Sequence, residues 1–248
     1  MDIKGKNILI TGGANGIGQF LTEKFVKKGA NVGVVDIDKT KLLTLKQQYD
    51  DLWIRTCDIS NPKEVEQAVD EFFNKYDQID ILINNAAFIY NSPLINLFGG
   101  FKKHSIEMWD KVIATDLNAV FYTTVNVVEK MLKKRTKGLI LNVSSVCANG
   151  NSGQGAYSAA KAGVEALTVA WAKELGAMGI RWAAIAPGYV ETDTTMNSLS
   201  ESRIKEIKNK TPLRRFSKPE EVYDGIEFII KNDFFNGKTL QLDGGLII

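Results

Sequence analysis

The chain has 248 residues, of which 44% are hydrophobic and 24% charged, with a formal net charge of +2. That length can bury one large α/β core, and the composition is that of an ordinary soluble globular protein. The most basic stretches, 130–135 and 205–210, read as solvated helix faces rather than a nucleic-acid surface, and no run of about 18 apolar residues reads as a membrane span.

The first element is the apolar run Asn7–Thr11, read as a buried strand. Gly12, Gly13, Ala14, Asn15, Gly16, Ile17 and Gly18 follow at once. The segment 17–28 then reads as an amphipathic helix with Phe20, Leu21, Phe25 and Val26 facing inward. A glycine-rich turn between strand and helix lets backbone approach a phosphate closely, and the helix start supplies N–H donors and positive dipole. A second strand at 31–36 ends on Asp36. An acid there can accept hydrogen bonds from ribose hydroxyls and repels a 2′-phosphate, so NAD is favoured over NADP. Asn15 is uncharged and adds no cation for such a phosphate.

Further strands are expected at 52–57, 79–84, 138–144, 181–186 and 238–242, with helices at 40–49, 62–76, 107–135, 156–177 and 219–231. The alternation predicts an α/β fold in which a parallel sheet of seven strands carries helices on both faces. A cofactor would lie across the carboxyl ends of the strands. The long irregular segment is 86–106.

Tyr157 and Lys161 stand four residues apart in an Ala-rich helical run, which puts both side chains on one helix face. A phenol normally titrates near pH ~10. A neighbouring ammonium favours the phenolate and fits the Tyr for moving a proton on or off an alcohol oxygen.

These motifs together resemble the classical short-chain dehydrogenase/reductase family over nearly the whole chain. The family's T-G-x-x-x-G-x-G reads here as Thr11 to Gly18, its third-strand acid as Asp58-Ile59, and its N-N-A-G as Asn84-Asn85-Ala86-Ala87. Its Ser, Tyr and Lys read as Ser145, Tyr157 and Lys161, and its P-G-x-x-x-T as Pro187, Gly188, Tyr189, Val190, Glu191 and Thr192. The resemblance implies a single-domain Rossmann fold over residues 1–248 and an NAD(H)-dependent oxidoreductase that interconverts a secondary alcohol and a ketone. It implies cofactor contacts from Gly12, Asn15, Gly16, Ile17, Gly18, Asp36, Asp58, Ile59, Asn85, Ala86, Pro187, Val190 and Thr192, and from Tyr157 and Lys161. In its mechanism Tyr157 is the acid/base, Ser145 positions the substrate oxygen, and Lys161 keeps Tyr157 acidic and holds the nicotinamide ribose.

Two serines compete for one role. Simple spacing from Tyr157 favours Ser144, and strand register favours Ser145. Ser145 is preferred, because a loop absorbs a deletion more easily than a strand absorbs a slip that turns the side chain to the other face.

Asp116 departs from the resemblance, since the family's tetrad has Asn there. An ionised Asp accepts hydrogen bonds but donates none, and its charge near Lys161 opposes the effect of Lys161 on Tyr157. Either the proton relay tolerates Asp, or catalysis slows with a shifted pH optimum. The first is preferred, because one oxygen acceptor suffices to hold a water. Asp116 therefore stays among the catalytic candidates.

No metal is expected, since the chain has one His and no ligand cluster. Cys57 and Cys147 suggest no disulfide framework. With no signal-peptide pattern, a cytoplasmic protein is expected. The substrate pocket is expected from 88–106 and 193–215, where Phe88, Tyr90, Met196 and Leu199 suggest a partly apolar site or the loop's own packing. His104 is read as a surface residue.

The 213–222 and 237–245 segments look like the branch holding 3-oxoacyl-thioester reductases and NAD-dependent alcohol and sugar dehydrogenases. A 3-oxoacyl-thioester reductase is thus the first alternative, and a catalytically impaired cofactor-binding regulator the second. The family's assembly implies a homotetramer, consistent with apolar Phe121, Tyr122, Leu167, Trp171 and Leu175 on two helices and with the terminal Leu246, Ile247 and Ile248. No nucleic-acid or membrane partner is expected.

Overall fold

A computed structural model describes residues 1–98 and 100–248. The main sheet is built from β1 (Asn7–Thr11), β2 (Asn31–Asp36), β3 (Trp53–Thr56), β4 (Ile81–Asn84), β5 (Leu139–Val143), β6 (Arg181–Pro187) and β7 (Lys238–Leu242). All seven run parallel, in the order β3-β2-β1-β4-β5-β6-β7. This is the Rossmann-type α/β fold that the sequence implied.

Alternation along the strands explains the two helical layers. Ile8 and Ile10 of β1, with Ile81 and Ile83 of β4, face one side. There they meet Leu21 and Phe25 of α1 (Gly16–Lys27), Leu42 of α2 (Lys39–Gln48) and Ile226 of α9 (Pro219–Lys231). Leu9 and Leu82 face the other side, against Phe72 of α3 (Pro62–Tyr76), Met131 of α5 (Ala119–Lys134) and Ala172 of α6 (Gly155–Leu175). Successive residues of a strand point to opposite faces, so an unbroken apolar run is what a sheet covered on both sides needs. Each fully buried Leu, Ile or Phe contributes roughly 1.5–3 kcal/mol.

A polar network lies inside this core. The Asn84 amide donates to Asn142 Oδ1 at 2.9 Å and to Thr124 Oγ1, Thr123 donates to Asn84, and Asn142 donates to Thr168. It ties β4 and β5 to α5 and α6, with each of those side chains partnered as burial requires.

The chain crosses over between β1 and β4, where connections leave the sheet in opposite directions. Thr11, Asp36, Asn84, Val143 and Pro187 all end strands on this carboxyl edge. Ligands of doubly wound sheets bind outside such a switch point.

Two expectations need correction, at 107–135 and at 86–106. The helix expected at 107–135 is two helices, α4 (Ile106–Ile113) and α5, joined by a π-helical turn over Ala114–Asn118. The Ala119 amide donates back to Ala114, one residue further than in an α-helix, and this wider turn carries Asp116. The segment 193–215 holds two helices, α7 (Asp193–Ser198) and α8 (Glu201–Lys210), N-capped by Thr192 and Ser200. The segment 86–106 contains a small antiparallel hairpin, pairing Ile95 with Lys103 and Asn96 with Lys102. Other boundaries shift by one or two residues, as helix and strand ends ordinarily do.

Candidate active site

The glycine turn follows β1 directly. Gly12 has φ +64, and a Cβ there would lie 2.7 Å from Ala86 Cα. A Cβ on Gly18 would lie 2.0 Å from the Gly12 carbonyl oxygen, so α1 packs against the turn only with glycine. Asn85 braces the turn from β4, donating to the carbonyls of Thr11 at 3.1 Å and Gly12 at 2.9 Å. Thr11 Oγ1 in turn accepts the amides of Asn85 and Ala86. Asn85 is thus a structural brace as well as part of the cleft wall.

A cleft of about 640 Å³ opens beside the turn. Gly12, Asn15, Gly16, Ile17, Gly18, Asp36, Asp58, Ile59, Asn85, Ala86 and Thr192 all line it. Asp36 accepts the Ala14 amide on Oδ2 and the Asp38 amide on Oδ1, both at 3.0 Å. Asp58 accepts the amide and hydroxyl of Ser60, which fixes its carboxylate at the cleft edge. Lys111 of α4 also lines the cleft and lies 4.4 Å over the Phe88 ring.

These residues fit a dinucleotide. A Cβ on Gly16 would meet nothing closer than 3.7 Å, and its φ of +52 turns the start of α1 toward the open cleft. Backbone donors there suit a pyrophosphate, and the Asp36 carboxylate suits ribose hydroxyls.

The second cavity, about 490 Å³, adjoins the first and is lined by Ser145, Tyr157, Lys161, Pro187 and Val190. The two serines diverge. Ser144 donates to Glu165 Oε1 at 2.7 Å, four residues along α6 from Lys161. Ser145 Oγ accepts the Cys147 amide at 3.2 Å and lies close enough to Tyr157 to favour its phenolate. Lys161 Nζ donates to the Val143 carbonyl at 2.9 Å and sits 5.5 Å from the Tyr157 ring centroid.

Electrostatics at this pair differ from the expectation. The Tyr157 phenol is pushed up, first by burial, then by the charge of Asp116 and by Cys147. Spacing alone argued for a lowered phenol, but a fully enclosed phenolate loses its hydration. Burial likewise pulls Lys161 down, and Asp116 pulls it back up. Asp116 itself is completely buried. Its Oδ1 accepts the Phe88 amide at 2.7 Å, while Oδ2 has no hydrogen-bond partner among the described residues. Burial raises its carboxyl to about 6, against the lowering effects of Lys161 and the Phe88 amide.

Comparison with known proteins agrees with this geometry. The family model described as short chain dehydrogenase matches residues 6–203. The chain belongs to the short-chain dehydrogenases. This short-chain dehydrogenase is 38% identical to the 3-oxoacyl-[acyl-carrier-protein] reductase FabG of Thermotoga maritima, each chain covered in full. It is 34% identical to the protein of the same name from Chlamydia pneumoniae, with 99% of each covered. Among solved structures it matches the 3-ketoacyl-(acyl-carrier-protein) reductase of Brucella melitensis complexed with NADH. That match has a TM-score of 0.88 at 27% identity, over 99% of this chain and 100% of the other. The protein is accordingly an oxidoreductase acting on a CH–OH group of a small molecule, with a nicotinamide cofactor.

Both variable segments contribute to the cavity walls as expected, though only in part. Of the 88–106 segment, Phe88 lines the cofactor cleft while Ile89 and Asn91 line the second cavity. Leu94, Leu97, Phe98 and Phe101 are exposed, neither in the pocket nor packed on the loop. His104 is half-buried, edge-on to Tyr90 and Trp109, and staples the hairpin instead of standing at the surface.

Leu199 and Arg203 reach the cavity from the end of α7 and from α8. A chain of polar side chains, Asn91 to Gln154 to Asn151 and Cys147, rims it, and sequence reasoning missed this chain. Its Asn91–Gln154 link joins residues 63 apart, and no local spacing announces that pair. Glu165 was also missed, although its i+4 offset from Lys161 on one helix face was a usable signal. Among the described residues no helix is long and apolar enough to cross a membrane, and no cluster of three or more metal-type ligands occurs.

Proposed function

We propose that this short-chain dehydrogenase interconverts a ketone and a secondary alcohol with NAD(H), using Tyr157 as the acid/base. The observation that carries the reading is the convergence of Ser145, Tyr157 and Lys161 on one cavity adjoining the cleft that ends at Asp36. NAD(H) supplies or takes the hydride when bound.

The chain's own residues do the rest. Ser145 donates to the substrate oxygen and fixes its direction toward the phenol. In reduction Tyr157 gives its proton to that oxygen, and in oxidation the phenolate takes it. Burial keeps the proton on Tyr157 at neutral pH, the state that reduction starts from. Lys161 and the cavity walls exclude bulk water from the exchanging proton. Asp36 supports NAD over NADP, because a carboxylate tied to the turn repels a 2′-phosphate. Gly12, Asn15, Gly16, Ile17 and Gly18 would hold the pyrophosphate side. Asp58 and Ile59 would hold the adenine, with Asn85, Ala86, Pro187, Val190 and Thr192 toward the nicotinamide.

A 3-oxoacyl thioester as the ketone is the second reading, favoured by the full-length similarity to reductases of that name. The cavity walls support it, since Ile17, Ile89, Val146 and Leu199 give them apolar stretches beside the polar rim. Exposed Phe121 and Val125 on α5 and Val169 on α6 support a homotetramer. At the C-terminus Ile247 is exposed, whereas Leu246 is already buried in the protomer.

The test offers NADH and NADPH with a panel of 3-oxoacyl thioesters, ketoses and simple ketones. Consumption of NADH faster than NADPH with one of these substrates supports the reading. Consumption of NADPH alone contradicts the cofactor assignment.

A further inference from the structure

The second cavity is charged in one sense only. Among the described residues that line it, Lys161 and Arg203 carry charge and none is a carboxylate. Lys161 is buried beside Tyr157 and already committed to the Val143 carbonyl at 2.9 Å. Arg203 reaches the cavity from α8 and stays partly exposed.

The docking of α8 explains why Arg203 is there. Ile207, one turn on, is buried in the same apolar cluster as Tyr157 and Phe216. Residues four apart share a helix face, so the face that seats α8 also carries Arg203. Glu206 Oε2 accepts from Arg203 Nη1 at 2.7 Å, and Glu206 Oε1 accepts from Lys210 at 2.8 Å. One carboxylate is thus shared between two cations and leaves the group net positive. The Tyr189 hydroxyl also stands near the guanidinium. A guanidinium fork has more N–H donors than these partners use.

The amide rim is polarised in the same sense. Asn151 Nδ2 donates to Gln154 Oε1 at 2.7 Å, and Gln154 Nε2 donates to Asn91 Oδ1 at 2.7 Å. The oxygens of Gln154 and Asn91 already accept within the chain, so it ends on the Asn91 Nδ2 amide, a donor.

We propose that Arg203 is a specificity-determining residue: the ketone taken by this cavity carries a second, anionic group, a carboxylate or a phosphate, held by Arg203 and the Asn91 amide. This deepens the function proposed above and rests on Tyr157 being the acid/base of the same cavity.

Either anion matches a planar guanidinium with two parallel hydrogen bonds, which orients the ligand as well as binding it. The anchor stands on α8 and the acid/base on α6, so the substrate is pinned at two points on separate elements. A cavity of about 490 Å³ holds the whole of such a small molecule.

The experiment measures steady-state reduction, with whichever of NADH or NADPH the parent uses, on anions and their neutral counterparts. The pairs are 3-oxobutanoate and its ethyl ester, 4-oxopentanoate and its ethyl ester, and dihydroxyacetone phosphate and dihydroxyacetone. The N-acetylcysteamine thioester of 3-oxobutanoate stands for an uncharged acyl thioester. The parent should prefer at least one anion to its neutral partner, the carboxylate and phosphate pairs showing which group is read. R203M should reduce that preference by about thirtyfold, mainly through KM. R203K keeps the charge without the fork and should fall between. R203Q gives the same reading if R203M does not fold.

Equal use of anion and neutral partner by the parent overturns the proposal, as does an equal loss on both members of a pair in R203M. So does a clear preference for the thioester over every anion. A merely structural role would lower kcat for all of these ketones alike. If none is turned over, the same compounds are titrated calorimetrically into the complex with NADH, and the lack of any Arg203-dependent binding of an anion overturns it. Failure of the underlying reading looks different: Y157F would retain turnover while R203M still lost the anion preference.

Discussion

Asp36 Oδ2 accepts the Ala14 amide at 3.0 Å, so the acid at the end of β2 is fastened to the glycine turn. The carboxylate that would meet the adenosine ribose is therefore held by the same loop that would meet the pyrophosphate. One substitution touches both.

Asp36→Asn keeps a hydrogen-bonding side chain and removes the charge. The preference for NADH over NADPH should fall by tenfold or more, equivalent to about 1.4 kcal/mol per factor of ten. Fluorescence titration of the two cofactors measures it. Equal loss of affinity for both would show that Asp36 only supports the turn.

The neighbouring serines separate stability from catalysis. Ser144→Ala strands Glu165 Oε1, which accepts the Ser144 hydroxyl at 2.7 Å. It should cost about 1–2 kcal/mol in denaturant unfolding and leave kcat within a few-fold. Ser145→Ala should lower kcat by about a hundredfold or more with little change in stability. The reverse pattern would assign the catalytic hydroxyl to Ser144.

Asp116 also makes stability depend on pH, with a definite sign. Its carboxyl is raised from 3.8 to about 6 in the folded state. Below about pH 4 folded and unfolded chains both hold the proton, and the group exacts no penalty. As pH rises through about 6 the folded state must bury a charge that the unfolded state leaves in water. The loss approaches the order of 3 kcal/mol by neutral pH. Asp116→Asn should therefore match the parent near pH 4 and unfold at a higher denaturant concentration near pH 7. Parallel curves across that range would show that Asp116 does not titrate as described.

Much of this was legible in the sequence, for identifiable reasons. The strand runs around Ile8, Ile83 and Leu141 are short and uniformly apolar, because both sheet faces are covered. Glycines at 12, 16 and 18 are forced by close backbone approach and positive φ, so the turn announces itself. The π turn at Asp116 was not legible, since one extra residue in a helical circuit leaves the 107–135 pattern almost unchanged. The upward push on Tyr157 was missed because spacing reports who is near and not how much water is excluded. The hairpin pairing Ile95 with Lys103 was hidden in a segment without strand periodicity, and its exposed Phe98 and Phe101 mimic pocket residues in composition alone.

The most direct test of the account is Tyr157→Phe, which removes one oxygen from a buried ring and nothing else. Turnover and NADH binding are measured on the same preparation, with whichever ketone the parent reduces. The account predicts that reduction falls by at least a thousandfold while the NADH dissociation constant changes by less than about threefold, equivalent to roughly 0.6 kcal/mol. Strong residual turnover in the variant would contradict the assignment of Tyr157 as the proton donor.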